Sequence, residues 1–266
     1  MVYLKTEDEI ELLRQSNLLV GRTLAEVAKM IKPGVTTLQL DKVAEEFIRD
    51  NGAVPTFKGF PNQFGKQPFP ASICTSVNDQ VVHGIPNDTP LKDGDIVSVD
   101  CGTLLNGYCG DSAYTFCVGE VKPEILELLK VTKRALYLGI ENAVHGKRIG
   151  DIGNAVQQCV EEHSYGVVRE FVGHGIGKEM HEDPAVPNYG QRGTGLLMKR
   201  GLCIAIEPMI TLGSQKIYME RDGWTIKTAD AKCAAHFEHT VAVGAGHADI
   251  LSTFEYIEQV LGDKAI

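Results

Sequence analysis

The chain says nearly the same thing twice. Val82-His83-Gly84-Ile85 is echoed by Gly173-His174-Gly175-Ile176. Leu91-Lys92-Asp93-Gly94, running on to Val99-Asp100, is echoed by Met198-Lys199-Arg200-Gly201, running on to Ile206-Glu207, with glycine and acid in the same register. Asp111-Ser112-Ala113-Tyr114-Thr115 resembles Glu238-His239-Thr240, and each opens an apolar strand that closes on a glycine, Gly119 or Gly244. Such an internal duplication constrains the fold more than any single motif. Two copies are too few for a solenoid. They predict two similar halves, at about 6–120 and 123–246, related by a pseudo-two-fold axis, with equivalent acids converging from both sides. No Pro-, Gly- or Ser-rich linker divides the 266 residues, so a single catalytic domain over 1–266 is expected.

Each half reads helix, helix, then strands. Thr6 with Glu9 forms a capping box ahead of a helical stripe of Ile10, Leu13, Leu18, Leu24, Val27 and Ile31, stopped at Pro33-Gly34. Thr36 with Gln39 caps a second helix that turns Leu40, Val43, Ala44, Phe47 and Ile48 inward. The spacing predicts the corresponding pair of helices over 123–144 and 151–162. Strands are expected at 71–75, 96–100, 110–118, 204–210 and 237–243. Antiparallel strands inside with helices packed outside make an α+β sandwich. Between Thr56 and Pro70, glycines, prolines and amides mark a loop, yet it carries Phe57, Phe60, Phe64 and Phe69. Either it packs onto the body or it forms one wall of a cleft.

Charge and cysteine usage narrow the function classes. A net charge of −9 offers no general surface for phosphate backbones, so a direct nucleic-acid function is excluded, although a local basic patch for a ribosome is not. The first residues do not read as a secretory signal, and no apolar run is long enough to span a bilayer. Seven scattered cysteines with no Cys-x-x-Cys pair fit reduced thiols in the cytoplasm rather than a disulfide frame.

The candidates for chemistry are Asp100, Asp111, His174, Glu207 and Glu238. Four neighbouring carboxylates repel and drive one another's pKa up unless cations neutralise them. Oxygen ligands with one imidazole suit hard to borderline divalent metals, and four acids exceed what one catalytic metal normally takes. Two metals are therefore expected, with manganese, iron, cobalt and zinc all compatible. A carboxylate-bridged pair lowers the pKa of a bound water and polarises a carbonyl, which is hydrolytic chemistry. Taken singly, Asp100 before Cys101-Gly102 reads as a turn residue, and Glu207 before Pro208 as an extended strand end. The matched set of five is what argues for a site.

His83-Gly84-Ile85-Pro86, Asp100 with Gly110-Asp111, Gly173-His174-Gly175-Ile176-Gly177, Met180-His181-Glu182, Ile206-Glu207-Pro208 and Phe237-Glu238-His239-Thr240 together resemble the type I methionine aminopeptidases, from about Lys5 to Gly246. The resemblance implies the pita-bread sandwich and the removal of initiator methionine from nascent polypeptide N-termini, with a small second residue preferred. It implies that Asp100 holds one metal, that His174 and Glu207 hold the other, and that Asp111 and Glu238 bridge both. Glu207 would also shuttle the proton of the attacking water. His83 would contact the scissile amide nitrogen, and His181 would stabilise the oxygen of the tetrahedral intermediate. Cys74, Phe69, Phe171 and Trp224 would line the methionine pocket. The chain departs from many relatives in carrying Cys109 where they have histidine, and in a longer 62–67 loop. A cytoplasmic monomer, with possible ribosome contact, is the corresponding expectation. Two alternatives stand beside this reading: an X-Pro aminopeptidase or prolidase on the same fold, and a relative without catalysis acting as a binding module. Trp224 likewise reads either as a pocket wall or as an apolar plug under its turn.

Overall fold

Two capped helices open the chain in the computed structural model, which describes residues 2–62 and 67–266. Helix α1 (Glu7–Ala28) begins on the Thr6/Glu9 capping box and α2 (Thr37–Asp50) on the Thr36/Gln39 box, each satisfying orphan N–H groups reciprocally. Strands β1 (Val54–Pro55), β2 (Ile73–Val77), β3 (Gln80–Val82), β4 (Ile96–Leu105) and β5 (Tyr108–Cys117) follow. A second pair of helices, α3 (Pro123–Ile140) and α4 (Ile149–Glu161), opens the other half. Then come β6 (Gly166–Val167), β7 (Gly173–Gly175), β8 (Glu182–Val186), β9 (Cys203–Ile206), β10 (Met209–Thr211), β11 (Ile217–Met219), β12 (Ile226–Thr228), β13 (Ala234–His236), β14 (His239–Ala242) and β15 (Asp249–Ile250), with α5 (Glu255–Leu261) near the end. The pairs among these strands are antiparallel. The fold is an α+β sandwich, consistent with the duplication, and it is the pita-bread architecture that the resemblance implies.

Several boundaries differ from expectation for local reasons. Helix α3 stops at Ile140, and Val144 instead bridges to Gly244. Helix α4 starts two residues early because Asp151 reaches back to the Arg148 N–H at 2.7 Å. The first-half strands run longer or later than expected, as the hairpin of β4 and β5 is set by its turn. Asn106 (φ 53°) and Gly107 (φ 81°) form the two-residue, left-handed turn that matches strand twist.

The largest difference matters most. A single strand over 204–210 is expected, but β9 ends at Ile206 and β10 begins at Met209. Its partner breaks in step, between β13 and β14. Pro208 has no N–H to give to a ladder, so pairing lapses there. The register is nonetheless the same on both sides: Ile206 pairs His239 and Met209 pairs His236. No residue is inserted, so Glu207 and Glu238 face each other across the gap.

The main core lies between the helices and the sheets, around Leu24, Leu40, Tyr114, Leu128, Ile152, Ile206 and Phe237. A second cluster, including Leu13, Phe57, Phe69, Cys74, Ile176 and Met180, lies under the cleft. No helix of the described residues is long and apolar enough to cross a membrane.

Candidate metal centre

Strand register places the acids. In the hairpin, Asp100 sits opposite Ala113 and Gly102 opposite Asp111. Residues opposite each other share a face, as do residues two apart, so Asp100 and Asp111 are diagonal neighbours on one face. Cys74 pairs Asp100 from the other side and so shares that face. In the second half, Gly175 pairs Ile204, which puts His174 and Glu207 on a common face.

The two halves are stitched along β5. The Thr240 hydroxyl donates to the Asp111 carbonyl at 2.9 Å. The Glu238 N–H donates to the Ala113 carbonyl at 3.0 Å, and the Thr115 hydroxyl donates to the His236 carbonyl at 2.7 Å. The contacts step by two residues on each strand, so the acids of both halves are carried to one place.

There the donor atoms of Asp111, His174 and Glu238 all lie within 4.8 Å of one another. Asp100, the diagonal neighbour of Asp111 in the hairpin, is close enough for the Asp111 charge to raise its pKa. Glu207 joins through its Oε1, 3.6 Å from His174 Nε2, which is also 3.6 Å from Asp111 Oδ2. His174 Nδ1 lies 2.9 Å from the Gly175 carbonyl, which can only accept. Nδ1 therefore carries the proton, and the Nε2 lone pair faces the carboxylates, as a ligand requires.

Burial pushes all four carboxyls up. Asp111 is raised to about 8 by desolvation. Asp100, Glu207 and Glu238 stand well above the usual carboxylate range, by desolvation first and then by the charge of neighbouring acids, Asp111 among them in each case. The buried atoms Asp100 Oδ1, Asp111 Oδ1 and Glu238 Oε1 have no hydrogen-bond partner among the described residues. Buried acceptors without partners are costly, and divalent cations meet both deficits at once. The donor set fits the expected metals.

The metal-free protein should accordingly prefer low pH. A carboxyl whose folded pKa is raised stabilises the fold below its unfolded value and loses that contribution as pH rises through the folded value. For Asp111 the loss spans about 4 to about 8. Calorimetry on chelator-stripped protein should show Tm falling by at least about 5 °C between pH 5.5 and pH 8. Saturating divalent metal should remove most of that fall, and a flat metal-free profile would count against this electrostatic account.

The centre opens into a cleft of about 940 Å³ whose lining includes His83, His181, Cys74, Phe69, Phe171 and Trp224. His83 adopts a left-handed backbone (φ 59°) uncommon outside glycine, and a Cβ on the next residue, Gly84, would stand 2.3 Å from the Thr75 carbonyl oxygen. Its ring packs edge-on against Phe171 (5.4 Å) and Trp224 (6.4 Å). His181 packs against His174 at 4.4 Å and against Phe60 at 5.2 Å. Burial lowers both His83 and His181 to about 4, with a smaller push from His181 on the former and from His174 on the latter. Both are neutral near pH 7.

The aromatic loop does both things the sequence allows. Phe57 is buried, while Phe60 and Asn62 line the cleft. Asn62 donates to the Gly223 carbonyl at 2.9 Å, and Trp224 Nε1 donates to the Gln67 carbonyl at 2.9 Å. Trp224 is likewise both wall and plug, packed edge-on against Phe69 at 5.2 Å. Phe64 and most of the 62–67 stretch lie outside the described residues. Cys109 is buried against the turn after His174, its N–H donating to the Gly177 carbonyl at 2.8 Å.

Sequence reasoning missed His236. It is buried, and its Nε2 lies 3.8 Å from Glu207 and 3.9 Å from Glu238 without a hydrogen-bond partner among the described residues. The signal was available: it stands two residues before Glu238, on the same face of an extended chain.

Similarity to known proteins gives the family. Residues 11–245 match the model of metallopeptidase family M24. The methionine aminopeptidase of Clostridium acetobutylicum is 49% identical over 256 residues, covering 96% of this chain and 100% of that protein. The crystal structure of methionine aminopeptidase from Rickettsia prowazekii superposes with a TM-score of 0.91 at 40% identity, covering 95% of this chain and all of that one. An X-Pro aminopeptidase from Thermotoga maritima shares the fold at a TM-score of 0.72, but at 22% identity and with 62% of its longer chain covered. The chain belongs to metallopeptidase family M24, on its methionine aminopeptidase branch.

Proposed function

We propose that this chain is a dimetal aminopeptidase that removes methionine from the N-termini of nascent proteins and peptides, favouring a small second residue. The observation that carries the reading is the meeting of Asp111, His174 and Glu238 within 4.8 Å at the floor of a cleft walled by Phe69, Phe171 and Trp224. Asp100 would hold one ion, His174 and Glu207 the other, with Asp111 and Glu238 between them. When bound, two divalent ions supply a water of lowered pKa and a polarised carbonyl.

The protein groups then divide the remaining work. Glu207 takes a proton at its carboxylate from the attacking water and passes it towards the leaving nitrogen as the C–N bond breaks. Neutral His181 donates an N–H to the oxygen on which negative charge develops. Neutral His83 hydrogen-bonds the scissile nitrogen. Phe69, Phe171, Trp224 and the Cys74 sulfur surround a thioether, whose sulfur favours aromatic edges. The reading places the enzyme in the cytoplasm, as a monomer meeting chains as they leave the ribosome.

The direct test offers Met-Ala-Ser and Ala-Pro-Ser side by side to metal-free protein titrated in turn with manganese, iron, cobalt and zinc. Release of methionine, dependent on metal and absent with Ala-Pro-Ser, is expected. Preference for Ala-Pro-Ser would favour the prolidase reading, and no turnover with any metal would favour a binding module.

A further inference from the structure

His236 closes β13, its backbone held at both polar groups by one side chain. Its N–H donates to Thr115 Oγ1 at 3.0 Å, and the Thr115 hydroxyl donates back to its carbonyl at 2.7 Å. Ser98 packs behind Thr115, their hydroxyl oxygens 2.8 Å apart. The imidazole is thereby fixed on the same face as Glu238. Its Nε2 lies 3.8 Å from Glu207 Oε2 and 3.9 Å from Glu238 Oε2, almost equidistant between the two acids. An ordinary core position would take an apolar side chain, because a buried nitrogen without a partner costs stability.

The tautomer separates this ring from His174. His174 gives its Nδ1 proton to a carbonyl, leaving Nε2 as a lone pair. His236 Nε2 instead faces the oxygens of Glu207 and Glu238, which as the anions that hold divalent ions only accept. A proton on Nε2 is the arrangement that avoids lone pairs facing lone pairs. At these distances neither contact is yet a hydrogen bond, but a shift of roughly 1 Å at a carboxylate completes one.

We infer that His236 is a positioning residue of the metal centre: its Nε2–H donates to the outer oxygens of Glu207 and Glu238 and fixes the orientation in which these carboxylates hold divalent ions. Glu207 is then flanked by imidazoles on both oxygens, one a ligand neighbour and one a donor. The inference rests on the dimetal reading and adds a residue to it. Outer partners of this kind typically govern metal affinity or activity by about 10- to 100-fold.

The test compares wild type with His236→Leu and His236→Phe, which lack a donor, and His236→Gln, which keeps one. Each metal-free protein is titrated with Mn²⁺ by calorimetry, then assayed on Met-Ala-Ser at saturating metal, with near-UV circular dichroism as the check on folding. Leu and Phe are expected to weaken Mn²⁺ binding about 10- to 100-fold and to lower kcat about 10-fold, with KM within about twofold. Gln should return both to within about threefold of wild type. Wild-type affinity and kcat in both donor-less variants would overturn the inference, leaving His236 a core residue. A Gln variant as weak as Leu, with altered visible absorption of the Co²⁺-loaded protein, would overturn it in favour of direct ligation. Should wild type itself take up no Mn²⁺, the metal reading falls and this inference with it.

Discussion

Glutamine in place of Glu207 is expected to lower kcat about 10³-fold or more on Met-Ala-Ser at saturating metal, while making the metal-free protein more stable at pH 8. The loss follows from two roles converging on one carboxylate. It lies 3.6 Å from His174 Nε2, and it is the acid proposed above to carry the proton of the attacking water, a task worth roughly 10²- to 10⁴-fold. The gain follows from its surroundings. Glu207 is held well above the usual carboxylate range by burial and by the charges of Asp100 and Asp111. Such a group stabilises the fold only while protonated, so ionisation at pH 8 opposes folding. Glutamine keeps the shape and removes the charge. Stopped assays with and without metal, paired with melts of the stripped protein, read both effects. Activity surviving within about tenfold would contradict the proton-transfer role, which is expected to contribute more than that.

The sequence carried much of this site because the acids repeat. Glycine and acid in register around Asp100 and around Glu207 marked equivalent positions, although Asp100 lies diagonal to Asp111 while Glu207 lies directly opposite Glu238. The capping boxes at Thr6 and Thr36 were equally legible, since a cap is a contact between residues three apart. What could not be read was long-range. Nothing local shows that Thr115 anchors His236 or that Trp224 reaches the Gln67 carbonyl. The break after Ile206 was signalled by Pro208, but hydrophobic continuity through Met209 and Ile210 favoured one long strand. The proline won, and it left Glu207 outside the ladder with its carboxylate on the face that His174 also serves.

His181→Ala is expected to cost about 10²- to 10³-fold in kcat, the usual result of deleting a donor aimed at a developing oxyanion, with a much smaller change in KM. The residue directly precedes β8, beside the ion pair of Glu182 with Lys5, which ties the start of the chain to this edge of the cleft. Its ring stacks edge-on against His174 and Phe60, so its direction is set from two sides. Burial lowers its pKa to about 4, which keeps it an uncharged donor throughout the neutral range. The activity of wild type should therefore show no inflection attributable to His181 between pH 6 and pH 8. His181→Gln, which retains an N–H at comparable reach, should recover part of the loss, whereas alanine should not. A kcat for His181→Ala within about threefold of wild type would remove this side chain from the reaction and leave it a wall of the cleft.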